Sequence, residues 1–256
     1  MYAAEGGHVE CVRMLLDANA DIHAIDGCSR TAFWLAIAEA HVACAQLLID
    51  ANADIEVKED DGNAGLHWCA MYDKPESIRV LLAAGADVDV RTHDSETRLM
   101  LAVREGNTAC AQILIEGGAD LEVADEGETA LVLAINGQKD ECARLLVDSR
   151  ADIDLADDTP LLCSAVNSGC TSTVEALLAL EVDVDAVAEN GQTALFGAAA
   201  RGLVVPMEML LLAKANINIV DGDGHTALFH AAVNGKEACL AKLLEFKADV
   251  NVADRR

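Results

Sequence analysis

The sequence predicts an all-α solenoid of stacked helix-turn-helix units with short projecting hairpins. A tripeptide of the type Ala-Asp-Ile recurs along the 256-residue chain at steps of 33, 33, 33, 32, 31, 33 and 33 residues. An aliphatic pair such as Leu15-Leu16 lies six residues before each tripeptide, and a Thr-x-Leu tripeptide or a relative follows most of them. The central residues of the recurring tripeptide are Asp21, Asp54, Asp87, Asp120, Asp152, Asp183, Asn216 and Asp249.

The first helix of each repeat is short and begins at the Thr-x-Leu tripeptide. In the last repeat, Leu228 and Ala231 follow at helical spacing and therefore share one face. Gly235 ends this helix, because a left-handed residue after a helix costs glycine little. Ala40 and Asp73 occupy the same turn position in the second and third repeats. A positive φ at either residue costs about 1 kcal/mol.

The second helix of each repeat carries the aliphatic pair. In the last repeat, Leu240, Leu243 and Leu244 lie on one face of this helix. The following Ala-Asp-Val is too short and polar to continue the helix, so we expect the chain to leave the helix there and form a projecting hairpin. Neither helix can bury its apolar face within its own repeat, so neighbouring repeats must stack.

This pattern resembles the ankyrin-repeat family over the whole chain. The family pattern is roughly Asp-x-x-Gly-x-Thr-Pro-Leu-His-x-Ala-Ala-x-x-Gly-His, an amphipathic helix that ends in Leu-Leu, and Gly-Ala-Asp-Val-Asn. The last repeat matches it at Asp221, Gly224, Thr226, Leu228, Ala231, Ala232, Gly235, Leu243, Leu244, Ala248, Asp249, Val250 and Asn251. The resemblance implies an ankyrin solenoid of about eight repeats, and it names no ligand.

The repeats form a single predicted array over residues 1–256. We place them approximately at 1–25, 26–58, 59–91, 92–124, 125–156, 157–187, 188–220 and 221–256. The first is truncated because it begins inside its first helix, and the sixth is irregular, with a short tip at residues 156–158. Neither end carries a polar capping repeat, so we expect a fragment of a longer array.

The composition excludes several classes of function. The chain has 18 Lys and Arg against 44 Asp and Glu, a net charge of −26. Nucleic acids and anionic membrane surfaces both require clustered basic residues, so neither is expected as a direct ligand. The nine cysteines are odd in number, and no secretory signal pattern precedes them. We therefore expect an intracellular protein, cytoplasmic or nuclear, with free thiols.

The cysteines and histidines are interpreted as structural residues. Five cysteines share the position four residues after the inter-helix turn, which predicts burial between second helices: Cys11, Cys44, Cys110, Cys142 and Cys239. Cys28, near a hairpin tip, is the predicted exposed thiol. His67 holds the family's histidine position, where the resemblance implies a bond to backbone and a Thr hydroxyl between layers.

We expect no metal, no cofactor and no catalysis. His23, His93 and His225 are expected to be exposed on or near hairpins. No cysteine has a partnering histidine at zinc-site spacing. The sequence also does not indicate a catalytic triad of a histidine with a serine or cysteine and an acid. The Asp-rich tips supply too few oxygens for a specific calcium loop, which needs six to eight.

The predicted partner-binding surface consists of residues that do not pack between repeats. Trp34 and Trp68 are expected in the core, whereas Tyr72 lies on the side that the family turns toward its concave groove. The candidate tip residues are Arg30, Asp60, Asp61, Asn63, His93, Asp94, Glu96, Glu126, Glu128, Glu189, Asn190, Gln192, Asp223 and His225. The candidate groove residues are Glu39, Met71, Tyr72, Arg104, Glu105, Asn136, Arg201 and Asn234.

These residues predict a non-catalytic scaffold that binds another protein or peptide on its concave face and hairpin tips. The acidic tips favour a basic partner. The alternative is a regulatory or substrate-recruiting module of a larger enzyme whose catalytic domain lies outside this chain, and the full reading frame distinguishes the two. We expect a monomer, although uncapped ends allow self-association, which concentration-dependent sedimentation would reveal.

Overall fold

The computed structural model describes residues 1–60, 62–92, 95–153, 160–188 and 190–252. These residues form sixteen short helices and one two-stranded sheet. No helix among them has the length and apolar character needed to cross a membrane. The helices are α1 (Tyr2–Glu5), α2 (Val9–Asp17), α3 (Ala32–Ala38), α4 (Val42–Asp50), α5 (Gly65–Met71), α6 (Pro75–Ala83), α7 (Arg98–Glu105), α8 (Thr108–Glu116), α9 (Ala130–Asn136), α10 (Asp140–Asp148), α11 (Leu161–Ser168), α12 (Thr171–Ala179), α13 (Ala194–Arg201), α14 (Val204–Leu212), α15 (Ala227–Val233) and α16 (Glu237–Glu245).

Within each of two compact units, the helix pairs stack on their neighbours, as predicted. The chain divides into two compact units, Met1–Ala130 and Leu131–Arg256. In the N-terminal compact unit, the first helices α1, α3, α5 and α7 pack in chain order, and the second helices α2, α4, α6 and α8 form a parallel row. In the C-terminal compact unit, α11, α13 and α15 form one row, and α10, α12, α14 and α16 form the other. Each predicted repeat contains one helix pair, while the boundaries between repeats stay a prediction.

The described projecting hairpins are closed by a few backbone hydrogen bonds. The one sheet pairs β1 (Ala124–Asp125) with β2 (Glu128–Thr129) in antiparallel register. Other tips close without strands, as where the Asp26 amide donates to the Arg30 carbonyl at 3.0 Å. The irregular sixth tip, at 156–158, lies outside the described residues.

The threonine position starts the first helices. Thr31 and Thr97 each accept a hydrogen bond from the amide three residues later, at 3.2 Å, and so cap α3 and α7. Ala64 has no such oxygen at the start of α5. There the Nδ1 of His67 accepts the Ala64 amide at 3.2 Å, a bond that satisfies the amide before the helix and not the one that a threonine would cap.

The inter-helix turns adopt the predicted left-handed backbone, including where glycine is missing. Ala40 has φ 60° and Asp73 has φ 54°. Gly106 takes the same role at φ 81°. In the fifth repeat the left-handed residue is Gln138, at φ 57°, although Gly137 directly precedes it.

The recurring aspartates form a ladder of backbone hydrogen bonds between repeats. Oδ1 of Asp87 accepts the amide two residues later, and Oδ1 of Asp89 then reaches the amide of Asp120 in the next repeat at 3.0 Å. In the same way Glu56 accepts the Asp87 amide at 3.3 Å. The C-terminal compact unit repeats the inter-repeat bonds between Asp185 and Asn216 and between Asn218 and Asp249. These carboxylates are therefore structural.

The repeat position four residues after the inter-helix turn holds small side chains, two of which donate hydrogen bonds to backbone carbonyls of the preceding repeat. Ser77 Oγ donates to the Ile37 carbonyl at 2.9 Å, and Cys110 Sγ donates to the Cys69 carbonyl at 3.7 Å. All nine cysteines are free thiols. The prediction of burial is wrong for Cys11, which is exposed; among the described second helices, α2 packs against α4 alone.

Candidate functional site

A row of rings runs along the first helices of the N-terminal compact unit. The Arg30 guanidinium lies 5.4 Å from the ring centroid of Trp34. Ring centroids are 5.2 Å apart for Trp34 and Trp68 and 4.1 Å apart for Trp68 and Tyr72. Trp34 is buried with Leu35, as predicted, and Trp68 packs half-buried against it. Tyr72 ends the row at 50% exposure.

Asp26 fixes Arg30 at the buried end of this row. The Arg30 Nη2 lies 2.7 Å from Asp26 Oδ2, and Nε donates to the same oxygen at 2.9 Å. The hydrogen bonds from the Arg30 side chain and amide lower the pKa of Asp26 to about 2. Arg30 is thus half-buried and paired, and it supports the aromatic row rather than projecting from the tip.

Two exposed carboxylates flank Tyr72 at equivalent repeat positions. Glu39, Tyr72 and Glu105 are spaced 33 residues apart at the carboxyl ends of α3, α5 and α7. All three are exposed. Because α5 packs between α3 and α7, and packed helices lie roughly 8–10 Å apart, each carboxylate is one helix away from the phenol ring. We call these three residues the Tyr72 face.

Glu96 and Arg104 pair with each other. Glu96 is predicted as an exposed tip acid, but the structure leaves only 6% of it exposed. Its Oε1 contacts Nη2 of Arg104, which projects from the last turn of α7. This ion pair draws the carboxylate under the tip, so the expectation of exposure is wrong for Glu96. The charge of Arg104 is compensated locally by Glu96.

The remaining tip residues of the N-terminal compact unit are spread over several hairpins. Asp60 is exposed and accepts a hydrogen bond from Ser29 Oγ of the preceding tip at 2.5 Å. Asn63 and Met71 are half-buried, and the Met71 carbonyl accepts from Asn107 Nδ2 at 2.9 Å. Glu126 is exposed and Glu128, in β2, is half-buried. Asp61, His93 and Asp94 lie outside the described residues.

Those predicted residues of the C-terminal compact unit that the structure describes form no comparable row. Asn136, Asn190, Arg201, Asp223 and Asn234 are exposed, and Gln192 is half-buried. Glu189 lies outside the described residues. His23 is exposed, as expected, but His225 is not. The ring of His225 stacks on Phe229 and leaves 13% of its side chain exposed, so the expected exposure is wrong there.

One grouping in this unit involves a residue that sequence reasoning missed. The side chains of Asp221, His225 and His230 converge at the base of the last hairpin. His230 lies on α15, beside the phenylalanine that replaces the family's histidine. A ligand-type residue at both ends of the Thr-Ala-Leu segment is the signal that could have found the group.

Comparisons with known proteins agree with this architecture. A family model described as "Ankyrin repeats (3 copies)" matches residues 1–92, 66–157 and 161–254. The crystal structure of the human ASB11 ankyrin repeat domain is similar with a TM-score of 0.68 and 24% sequence identity, covering 86% of this chain and 99% of that one. A search of curated proteins finds no match.

Ankyrin repeats are generally protein–protein interaction modules, and domains built from them are typically non-catalytic. At its level of identity the solved structure shows the fold alone, whereas the family model covers nearly the whole chain. The stacked helix pairs, the left-handed turns and these matches together establish that the chain belongs to the ankyrin-repeat family.

Proposed function

We propose that this chain is a non-catalytic scaffold that binds a basic segment of another protein or peptide, and that the Tyr72 face is the centre of the contact. The observation that carries the proposal is the half-exposed ring of Tyr72 between two exposed carboxylates. A Lys or Arg side chain seated on this ring gains a cation–π contact, and a carboxylate on either side attracts it further.

The aromatic row beneath Tyr72 makes this ring suitable as an anchor. Trp68 lies directly against Tyr72 and is itself supported by the buried Trp34. A ring held on rigid packing loses little side-chain freedom when a partner binds. Tyrosine and tryptophan also supply much of the energy in protein interfaces.

The charges of the Tyr72 face differ from the general acidity of the chain. Many aspartates elsewhere hold backbone amides within the ladder, so they serve the stack. Glu39 and Glu105 lie at helix carboxyl ends, where the helix dipole is also negative. Negative side chains at the negative end of a dipole favour a cationic partner.

Binding of the source organism's proteins at low and high salt tests the proposal, and peptides from a captured partner then give affinities. We expect Tyr72→Ala to weaken binding by about tenfold or more. We expect Glu39→Gln/Glu105→Gln to weaken it severalfold and to reduce its salt dependence. The matched control is Glu141→Gln/Glu237→Gln, which removes two exposed carboxylates from the second helices.

The control decides between a specific site and general acidity. If the control pair weakens binding as much as Glu39→Gln/Glu105→Gln, the attraction belongs to the net charge. If Tyr72→Ala leaves affinity unchanged, the partner contacts another face and the proposed centre is wrong.

We also propose that the protein works inside the cell, in the cytoplasm or nucleus. Nine free cysteines support this assignment, because thiols stay reduced in those compartments. Fractionation of the source cells, with immunodetection of the endogenous protein, tests the location. Recovery from the secreted fraction would contradict it.

A further inference from the structure

The base of the last hairpin brings together one carboxylate and two imidazoles. One potential ligand atom from each of Asp221, His225 and His230 lies within 4.8 Å of the other two. His230 Nε2 is 2.8 Å from Asp221 Oδ2, and His225 Nδ1 is 3.8 Å from Asp221 Oδ1. The arrangement joins the hairpin to α15, two elements that the chain connects only through Thr226.

The backbone holds Asp221 in place. Its Oδ1 accepts the amide of Asp223 at 3.0 Å and that of His225 at 2.9 Å, which fixes the turn. Its Oδ2 is directed at the ring of His230. Burial raises the pKa of Asp221, but the hydrogen bonds from His225, His230 and Asp223 outweigh that effect and lower it. The carboxylate is therefore ionised at neutral pH.

Aromatic rings enclose the two imidazoles. The His225 ring stacks on Phe229, with centroids 3.9 Å apart and planes 5° from parallel. The His230 ring meets the ring of Phe196 edge-on at 5.4 Å. The side chains of Asp221, His225 and His230 are only 8%, 13% and 15% exposed. These contacts restrict the rings and leave the three ligand atoms facing one another.

The hairpin of the second repeat shows that the aspartate alone suffices for the turn. Asp26 accepts the amides of Cys28 and Arg30 there, as Asp221 accepts those of Asp223 and His225. That tip has an arginine at the position of His225, and α3 has Leu35 at the position of His230. Two histidines are thus added to a turn that closes without them.

We propose that Asp221, His225 and His230 bind a divalent transition-metal ion, Zn²⁺ in particular. Two imidazoles and a carboxylate are ligands that zinc takes, at bond lengths of about 2.0–2.2 Å. Tetrahedral ligand atoms at such lengths lie about 3.3 Å apart, so the observed spacings need only small side-chain movements. His230 coordinates through Nε2 as the tautomer with its proton on Nδ1. The fourth position is left to water or to a group from a partner.

The test uses Co²⁺ as the spectroscopic probe and Zn²⁺ as the competitor, on full-length protein without a histidine tag. Cys11→Ser/Cys28→Ser serves as the background, because these two thiols are exposed and could bind the probe. We expect one Co²⁺ per chain with the visible absorption of a tetrahedral nitrogen and oxygen site, displaced by Zn²⁺. Zn²⁺ should also raise the melting temperature.

Two variants and one control identify the ligands. His225→Arg copies the natural turn at Asp26 and should fold normally, yet weaken Co²⁺ binding by about 100-fold or more. His230→Gln should do the same. His23→Gln, in an exposed loop of the first repeat, should leave the affinity unchanged. Equal affinity in His225→Arg, a thiolate charge-transfer band, or no saturable binding up to about 1 mM would each overturn the proposal.

Discussion

The Nη2 of Arg98 in the fourth repeat lies 3.3 Å from Oε2 of Glu56 at the end of the second repeat, and the arginine side chain has no exposed surface. Its Nε and Nη1 have no hydrogen-bond partner among the described residues. Burial therefore lowers the pKa of Arg98, and the charge of Glu56 opposes that shift. A buried cation with one carboxylate partner destabilises the fold strongly when that partner is removed, because its charge is then buried without compensation.

Removing the charge of Glu56 should destabilise the protein more than removing Arg98 itself. Glu56→Gln keeps a side-chain oxygen for the Asp87 amide but leaves the guanidinium unpaired. We expect it to lower the free energy of unfolding by about 2 kcal/mol, less than a fully buried pair because Glu56 is partly exposed. Urea titration at pH 7.5 measures the loss.

Arg98→Met provides the comparison, because it fills similar volume without a charge or unpaired donors. We expect its stability to lie within about 1 kcal/mol of wild type or above it. Once Arg98→Met is present, Glu56→Gln should have little further effect. Equal and additive losses in the two single variants would show that the ion pair does not dominate this site.

The left-handed residue Ala40 provides a second test. Because glycine adopts φ 60° without strain, Ala40→Gly should stabilise the protein by about 1 kcal/mol. Ala43 is exposed within α4, so Ala43→Gly should destabilise by about the same amount. Thermal unfolding of the two variants should show shifts of opposite sign. Shifts of the same sign would contradict the assigned backbone.

The stability should fall between pH 6.5 and pH 4 because of His67. Burial, together with the nearby charge of Arg98, lowers the pKa of His67 to about 4. Above pH 6.5 the imidazole is neutral in both the folded and the unfolded state, so its titration does not change the stability. Below it the unfolded chain binds a proton that the folded protein does not, so stability decreases by about 2 kcal/mol at pH 5.

Urea midpoints at pH 7.5, 6 and 5 measure this loss. His67→Gln removes the titration and retains an oxygen that can accept the Ala64 amide. Asp26 and Asp221 have lowered pKa values and lose stabilisation only as pH falls below about 4, so they leave this window clear. An unchanged pH profile in His67→Gln would rule out His67 as the source.

Two thiols should react quickly in the folded protein. Cys11 and Cys28 are exposed, and the other seven cysteines are buried. Burial raises the pKa of Cys110 to about 12 and that of Cys170 to about 11, which suppresses their thiolates. Ellman's reagent should titrate two thiols in native buffer and all nine in denaturant. Cys11→Ser/Cys28→Ser should abolish the fast phase; a persistent fast phase would place a reactive thiol elsewhere.

The fold was predictable because each repeat contacts mainly its neighbours, so a 33-residue period specifies most contacts. The same periodicity predicted a buried Trp34, and the family resemblance implied that Tyr72 lies on the groove side. The register also places the left-handed turn at Gln138, four residues before Cys142, although a glycine directly precedes it.

The side-chain pairings were less accessible to sequence reasoning. Glu96 pairs with Arg104 across the start and end of α7, and His230 meets Asp221 across a turn. Both contacts depend on how the hairpin folds over its helix, so the residue types in the sequence suggest candidates but do not establish the pairs. Charge counts therefore overestimated the free carboxylates at the tips.

The ladder of backbone bonds has a consequence for how such a protein grows. Every acceptor, whether Glu56, Asp89 or Asp185, meets the same amide of the following repeat. A tandem duplication or an in-frame loss of one whole repeat would bring an equivalent acceptor and an equivalent amide together. Recombination between repeats therefore conserves the hydrogen bond between neighbouring repeats. An insertion or deletion of one or two residues would move the acceptor away from its amide. Copy number can therefore drift during evolution while the spacing stays fixed.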